Sequence, residues 1–237
     1  MKKKILLMFI LGLNMYVLDA SADAQPTIGM VVSVEGKVTA IDSAKQERPL
    51  QRRAAIYLQD RILTQQDSKA QLKLNDDSVI VVQPSSEFYV SEFAFNKGSP
   101  KDSKYVGNIA KGMLINISGQ GNTKNYQLNS PVATIAFRGT GLATKLITSR
   151  NAVVTDQEIH VFHGYVTVNN RCQNVFGCIP HQINIGAGQQ INSATVNRLG
   201  AIGKLGKLEI AKLLSGCSGK SVSISSGGGI AIRCKGS

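Results

Sequence analysis

The sequence contains no tryptophan, and its aromatic complement is six tyrosines and seven phenylalanines. A stacking platform for nucleic-acid bases or sugar rings is therefore poorly supplied. Acidic residues are scarce as well, 15 against 27 lysines and arginines. Only three histidines are present, and no cysteine precedes Cys172. Familiar catalytic and nucleotide-binding patterns are missing too. No G-x-S-x-G elbow occurs. Gly203-Lys204 and Gly206-Lys207 lack the upstream glycine of a phosphate-binding loop. Gly139-Thr-Gly-Leu-Ala-Thr lacks the third glycine of a dinucleotide loop, and no flanking helix is indicated. The expectation is a protein that is not an enzyme and has no cofactor or resident metal.

The one long apolar run is at the start. Met1-Lys-Lys-Lys4 precedes an apolar stretch from Ile5 to Leu18, and Ala22-Asp-Ala24 comes just before Gln25. A basic start, a short apolar core and a small-residue site form the pattern of a cleaved secretory signal. Residues 1–24 are expected to be removed, with cleavage after Ala24 or Ala22. The apolar run is shorter than the roughly 20 residues a spanning helix needs, so no transmembrane segment is expected in the mature chain. The expected location is the periplasm, with secretion beyond the outer membrane open.

The formal charge is +12. Residues 1–24 hold three lysines and two aspartates, so their loss leaves +11. Residues 171–237 hold eight basic residues and one acid, Glu209, a surplus of +7. Outside the cytoplasm such a surplus favours anionic glycan, lipid or an acidic protein face over nucleic acid. Lys204, Lys207 and Lys212 are the candidate contacts. Cys172, Cys178, Cys217 and Cys234 form an even set in an exported chain, which favours disulfides. Of the three possible pairings, Cys172–Cys178 with Cys217–Cys234 is preferred. Cys172, Cys178 and His181 as zinc ligands fit that compartment less well.

Residues 28–192 read as short strands. Gly29–Ile41 suggests two strands hinged at Glu35-Gly36, and Ala70–Leu74 alternates with the period of a half-buried strand. Asp76-Asp77 reads as a turn before Val79–Val82. Phe88, Val90 and Phe93 suggest a bulged strand, and Asn96–Asn108 reads as a loop. Further strands are expected at Met113–Ile117, Val132–Phe137, Leu142–Thr148, Glu158–Phe162, Tyr165–Val168, Gln182–Ile185 and Gln189–Ile191. Short strands punctuated by turn residues, with no βαβ alternation, indicate an all-β domain. His160 and His163, three apart on a strand, point to opposite faces and read as solvent- or edge-facing. Residues 193–237 form a separate tail, with a short helix from about Lys204 to Leu214. Beyond Ser215 the chain is Gly/Ser-rich and reads as flexible, pinned by a disulfide.

Ser130-Pro-Val-Ala-Thr-Ile-Ala-Phe-Arg-Gly-Thr140 resembles the signature of the FecR domain family. Other blocks agree in order: Gly29 to Val38, Leu58 to Thr64, Ser68 to Leu74, Asp77 to Ile80, Pro84 to Phe88, and Lys111 to Leu114. The resemblance covers about residues 28–142, and more loosely Gly164–Val168 and Gly186–Gln189. It implies a solenoid-like or sandwich-like stack of short strands, and a protein-binding or signalling module of the cell envelope whose partner is another envelope protein. The alternative is an envelope scaffold that grips anionic glycan or lipid through its basic C-terminal segment. Family regulators carry a cytoplasmic anti-sigma segment; here a signal peptide stands in that place. Gln59 and Asp77 replace family glycines, and Gly141-Leu142 replace an acidic residue and an aromatic. Arg138-Gly139-Thr140 reads as a strand end, with Gly139 permitting a bend, and is the candidate structural turn or contact.

Overall fold

A computed structural model describes residues 25–121, 125–171, 180–192, 194, 199–200, 202–204, 220–224 and 230–234. Fourteen strands run from the start of this region to residue 186: β1 Thr27–Glu35, β2 Val38–Ile41, β3 Glu47–Pro49, β4 Ala55–Tyr57, β5 Arg61–Thr64, β6 Lys69–Leu74, β7 Val79–Val82, β8 Glu87–Ala94, β9 Lys104–Lys111, β10 Met113–Ile117, β11 Tyr126–Asn129, β12 Ala133–Thr148, β13 Val154–Asn170 and β14 Gln182–Gly186. They are followed by β15 Gln189–Ile191, β16 Ile202–Lys204, β17 Lys220–Ile224 and β18 Ile230–Cys234. The all-β expectation holds.

The first sixteen strands make one sheet that folds on itself. Its neighbours run β3-β2-β5-β8-β9-β11-β12 and then return β12-β10-β7-β6-β1-β4. The fold line is β12. Residues 134–137 pair with β11, whereas 141–145 pair with β10 on the same edge. On its other edge β12 pairs with β13 almost end to end, and β13 in turn splits its partners between β14 and β15. We call the half containing β2, β5, β8, β9 and β11 the first half-sheet. The half containing β1, β6, β7 and β10 is the second. All pairings are antiparallel except β9 with β11.

Strands that cross between halves must turn sharply, and they do so along two edges. Along one, the crossings between β1 and β2, β5 and β6, β7 and β8, and β9 and β10 use left-handed residues: Gly36 (φ 71°), Asp67 (62°), Ser85 (55°) and Gly112 (84°). Short hydroxyl side chains lock these turns. The Ser68 hydroxyl accepts from the Lys37 amide (2.9 Å), Thr64 Oγ1 accepts from the Ser86 amide (2.9 Å), and Ser86 Oγ accepts from the Met113 amide (2.9 Å).

The core lies between the halves. Ile62, Phe88, Ile109 and Ile135 of the first half face Leu72, Ile80, Leu114 and Leu142 of the second within one buried cluster. Tyr105, Tyr126 and Phe137 form a ring triad with centroids 5.5–6.0 Å apart. Their polar ends reach across the gap. The Tyr105 hydroxyl donates to Asn116 Oδ1 on β10 (3.2 Å), and the Tyr126 hydroxyl donates to Asp76 at the β6–β7 turn. A second apolar row alternates with the core residues of the second half: Val81, Ile115, Ala143 and Phe162, all fully buried. Among the described elements outside the folded sheet, β18 lies against β13, the strand that carries Phe162.

Three expectations are corrected. Asn96–Asn108 is not all loop: β9 begins at Lys104. Lys204 belongs to strand β16, paired with Gln189, so no helix starts there. Residues 205–214 lie outside the described residues. The tail is not uniformly irregular, because β17 and β18 form a hairpin, Lys220 opposite Cys234.

Candidate functional site

Arg138-Gly139-Thr140 sits in the middle of β12, at the point where that strand passes from the first half-sheet to the second. It is a corner, not a strand end. The pairing with β13 shifts register between Arg138 and Gly141, and a bulge of this kind turns a strand while adding twist. Gly139 is exposed with φ 56°. Opposite it Gly164 has φ 71°, and a Cβ there would stand 2.5 Å from the Gly139 carbonyl oxygen. Thr140 is buried; its hydroxyl donates to the Tyr165 carbonyl (2.9 Å), and its amide donates to Ser118 Oγ (3.0 Å). The corner is thus a structural turn held from both sides, with Gly139 the part left open to solvent.

Two titratable groups of the interior, His160 and Asp76, have hydrogen-bond partners. His160 is 3% exposed, contrary to its expected edge position, and its Nδ1 lies 2.7 Å from Gln190 Oε1. Glu158 Oε2 is 3.8 Å from His160 Nε2. His163 is exposed, so the pair does face opposite ways. Asp76 is fully buried and also accepts from the Ser78 amide (2.9 Å) and hydroxyl (2.7 Å). Burial, and then the bond to Asp76, push the Tyr126 phenol far above its usual value; burial does the same to Tyr105. Among the described residues no cluster of three His, Cys, Asp or Glu is placed to hold a metal ion.

Open concavities lie on the outer face of the first half-sheet, at the edge where the hydroxyl-locked crossings stack. There the Gln65 amide donates to the Lys37 carbonyl (3.2 Å), and the Ser85 amide to the Gln65 carbonyl (3.1 Å). A groove of about 550 Å³ runs along these turns, with Lys37 and Lys111 at its sides, Ile41 and Leu63 in its floor, and Gln65 and Gln66 on its rim. Glu47 stands at one end. A smaller hollow of about 160 Å³ follows along the same edge, lined by Tyr89, Asn108, Asn129 and Arg171. Arg171 Nη1 donates to the Ser130 carbonyl (3.0 Å), which fixes its guanidinium there. Sequence reading missed this edge because its members come from seven separate segments, each unremarkable alone.

Of the other candidates, Lys204 is exposed on β16, and Cys234 ends β18. Lys207, Lys212, Cys172, Cys178 and Cys217, together with residues 1–24, lie outside the described residues. No described helix is long and apolar enough to cross a membrane.

No curated protein matches the chain. Among solved structures, two crystal structures of a candidate anti-sigma factor from Parabacteroides distasonis are 11% and 13% identical, with TM-scores of 0.47 and 0.49. Each match covers 66% of this chain, and 65% and 64% of the solved chains. A cell surface anchoring domain, 24% identical with a TM-score of 0.26, matches over 26% of this chain and 82% of its own length. The family model described as FecR protein matches residues 60–167, from just before β5 to near the end of β13. That span begins later and ends later than the resemblance read from the sequence, and it takes in both strands of the long β12–β13 pair and the corner between the half-sheets. Residues 60–167, a little under half of the chain, are thereby identified as a FecR domain.

Proposed function

We propose that this chain, with its FecR domain, is an exported binding module of the cell envelope that recognises another envelope protein and performs no catalysis. The FecR match carries the reading. The geometry supports it: the accessible concavities are shallow, amide-lined and cationic, while His160 and Asp76 are enclosed by hydrogen-bond partners. Export rests on residues 1–24, and disulfides among the four cysteines follow from that compartment.

Crosslinking in the native envelope followed by mass spectrometry tests the reading. A reproducible protein partner that survives high salt and requires the β-domain supports it. The rival is a scaffold held to anionic glycan or lipid through the basic C-terminal segment, with exposed Lys204 as its described contact. Capture by cell wall or membranes that is abolished by salt and by deleting residues 198–237 favours that rival. N-terminal sequencing of the exported chain should begin at Gln25.

A further inference from the structure

We propose that the stacked-crossing edge of the first half-sheet binds an extended acidic segment of a partner polypeptide, an inference that rests on the protein-binding reading above. The observation is a regular row of cations. Lys37 enters β2, Lys111 ends β9, and Arg171 follows β13. In the order β2-β5-β8-β9-β11-β12-β13 these are the first, fourth and seventh strands. Neighbouring strands lie about 4.8 Å apart, so the strand ends that carry these cations recur about every 14 Å along the edge. Neither Lys37 nor Lys111 has a carboxylate within ion-pairing distance among the described residues, whereas six other lysines and arginines there do. The hollows occupy the intervals between the cations.

An extended chain advances about 3.3 Å per residue, so acidic side chains four residues apart recur about every 13 Å. That matches the cation spacing. The floor between the cations is not uniformly polar: Ile41 and Leu63 line one interval and Tyr89 the other. These would receive apolar side chains of the segment, and the side-chain amides of Gln65 and Gln66 can donate to and accept from its backbone. A plain polyanion would use the cations and leave the apolar floor empty. Glu47 sets a polarity, because it disfavours an acidic residue at the end of the groove it occupies.

The test uses the purified chain and a fluorescein-labelled nine-residue peptide with glutamates at positions 1, 5 and 9 and valine or threonine between them. Binding is read by anisotropy at low salt. A tenfold or greater loss of affinity is expected for K37E/K111E, and for the peptide with glutamine at the three positions. Both lysines are exposed, so the variant should keep the parent circular dichroism and melting curve; K37Q/K111Q provides a milder second variant and should lose affinity by a smaller factor. Equal binding of the glutamate and glutamine peptides, or unchanged binding by K37E/K111E, would overturn the proposal. So would tighter binding of a sulfated oligosaccharide or of phosphatidylglycerol vesicles at the same edge. If K37E/K111E still captures the wild-type crosslinked partner, the edge assignment fails while the protein-binding reading stands. If no protein partner is captured by either form, that reading fails first.

Discussion

Gly139 and Gly164 face each other across the β12–β13 corner, yet they tolerate a side chain differently. Both have positive φ, which costs an L-residue about 1–2 kcal/mol. A Cβ on Gly139 meets nothing within 4 Å, whereas one on Gly164 meets the Gly139 carbonyl oxygen and Thr140 Oγ1. Gly139→Ala should therefore lose about 1 kcal/mol of stability, and Gly164→Ala about 2–3 kcal/mol, since steric overlap adds to the backbone strain. Urea unfolding of the two variants checks the order. Asp60 gives a second residue-level outcome. Its side chain is fully buried beside Arg48, its Oδ1 makes no hydrogen bond among the described residues, and burial raises its carboxyl above the ordinary 3.8 against the pull of the Tyr57 amide and Arg48. The folded state therefore holds this proton where the unfolded chain has released it. That contribution stabilises below the ordinary value and is lost as pH rises through it and on through the folded value. Asp60→Asn should flatten that part of the pH–stability curve, measured by denaturation from acid to neutral pH. Gln59 and Asp77, which replace family glycines, sit at φ 67° and 66°. The need for left-handed backbone at both was legible from the family pattern; that Asp77 also pairs with Lys73 was not, because it depends on the folded turn.

Among the elements, β11 shows how a polar half-sheet is fastened to its opposite. Tyr126→Phe removes the hydroxyl that donates to buried Asp76. Losing a hydrogen bond to a carboxylate costs about 1.5–3 kcal/mol, and denaturant unfolding should show a loss in that range with the fold retained. Asp76 keeps its Ser78 partners, so the variant should still fold. The strand signal was plain in β6, where apolar and polar residues alternate from Ala70 to Leu74, and in β7, a short apolar run from Val79 to Val82. It was hidden in β9, whose buried positions are Tyr105, Gly107 and Ile109 between lysines and asparagine. Glycine and a tyrosine do not announce a strand, yet the glycine is required: a Cβ on Gly107 would run into the Tyr105 hydroxyl and Leu128. Lys204, where the expected helix begins, pairs with β15 instead, because an open strand edge offered hydrogen bonds.

For the whole molecule, the apolar row Val81, Ile115, Ala143 and Phe162 marks a face that the core does not account for. Truncation after Lys204 removes β17 and β18. It should uncover that row, raise binding of a hydrophobic dye, and leave the far-ultraviolet strand signal of the folded sheet. A truncated chain that binds no more dye than the parent would show that the sheet covers the row by itself. Fold class was readable because turn residues and short apolar runs are local signals. The folding of one sheet into two halves was not, because it depends on β12 and β13 exchanging partners midway, and pairing partners far apart in sequence leave no local mark. The cationic edge was hidden for the same reason: Lys37, Lys111 and Arg171 become neighbours only once strand order is known.

The continuous passage of β12 through both half-sheets also governs which length changes this lineage can accept. Side chains alternate faces along a strand, so adding or deleting one residue reverses every later position. At residues 138–140 such a change would turn Leu142, Thr144 and Leu146 outward while leaving Ile135 and Phe137 in place, and β13 would have to change by the same count at Gly164 to restore the match. Insertions between β8 and β9, around residues 95–103, meet no such condition, because each flanking strand belongs to one half alone. Natural variation in chain length should accordingly collect in that connection and spare the β12–β13 corner, where only paired changes in the two strands preserve the fold.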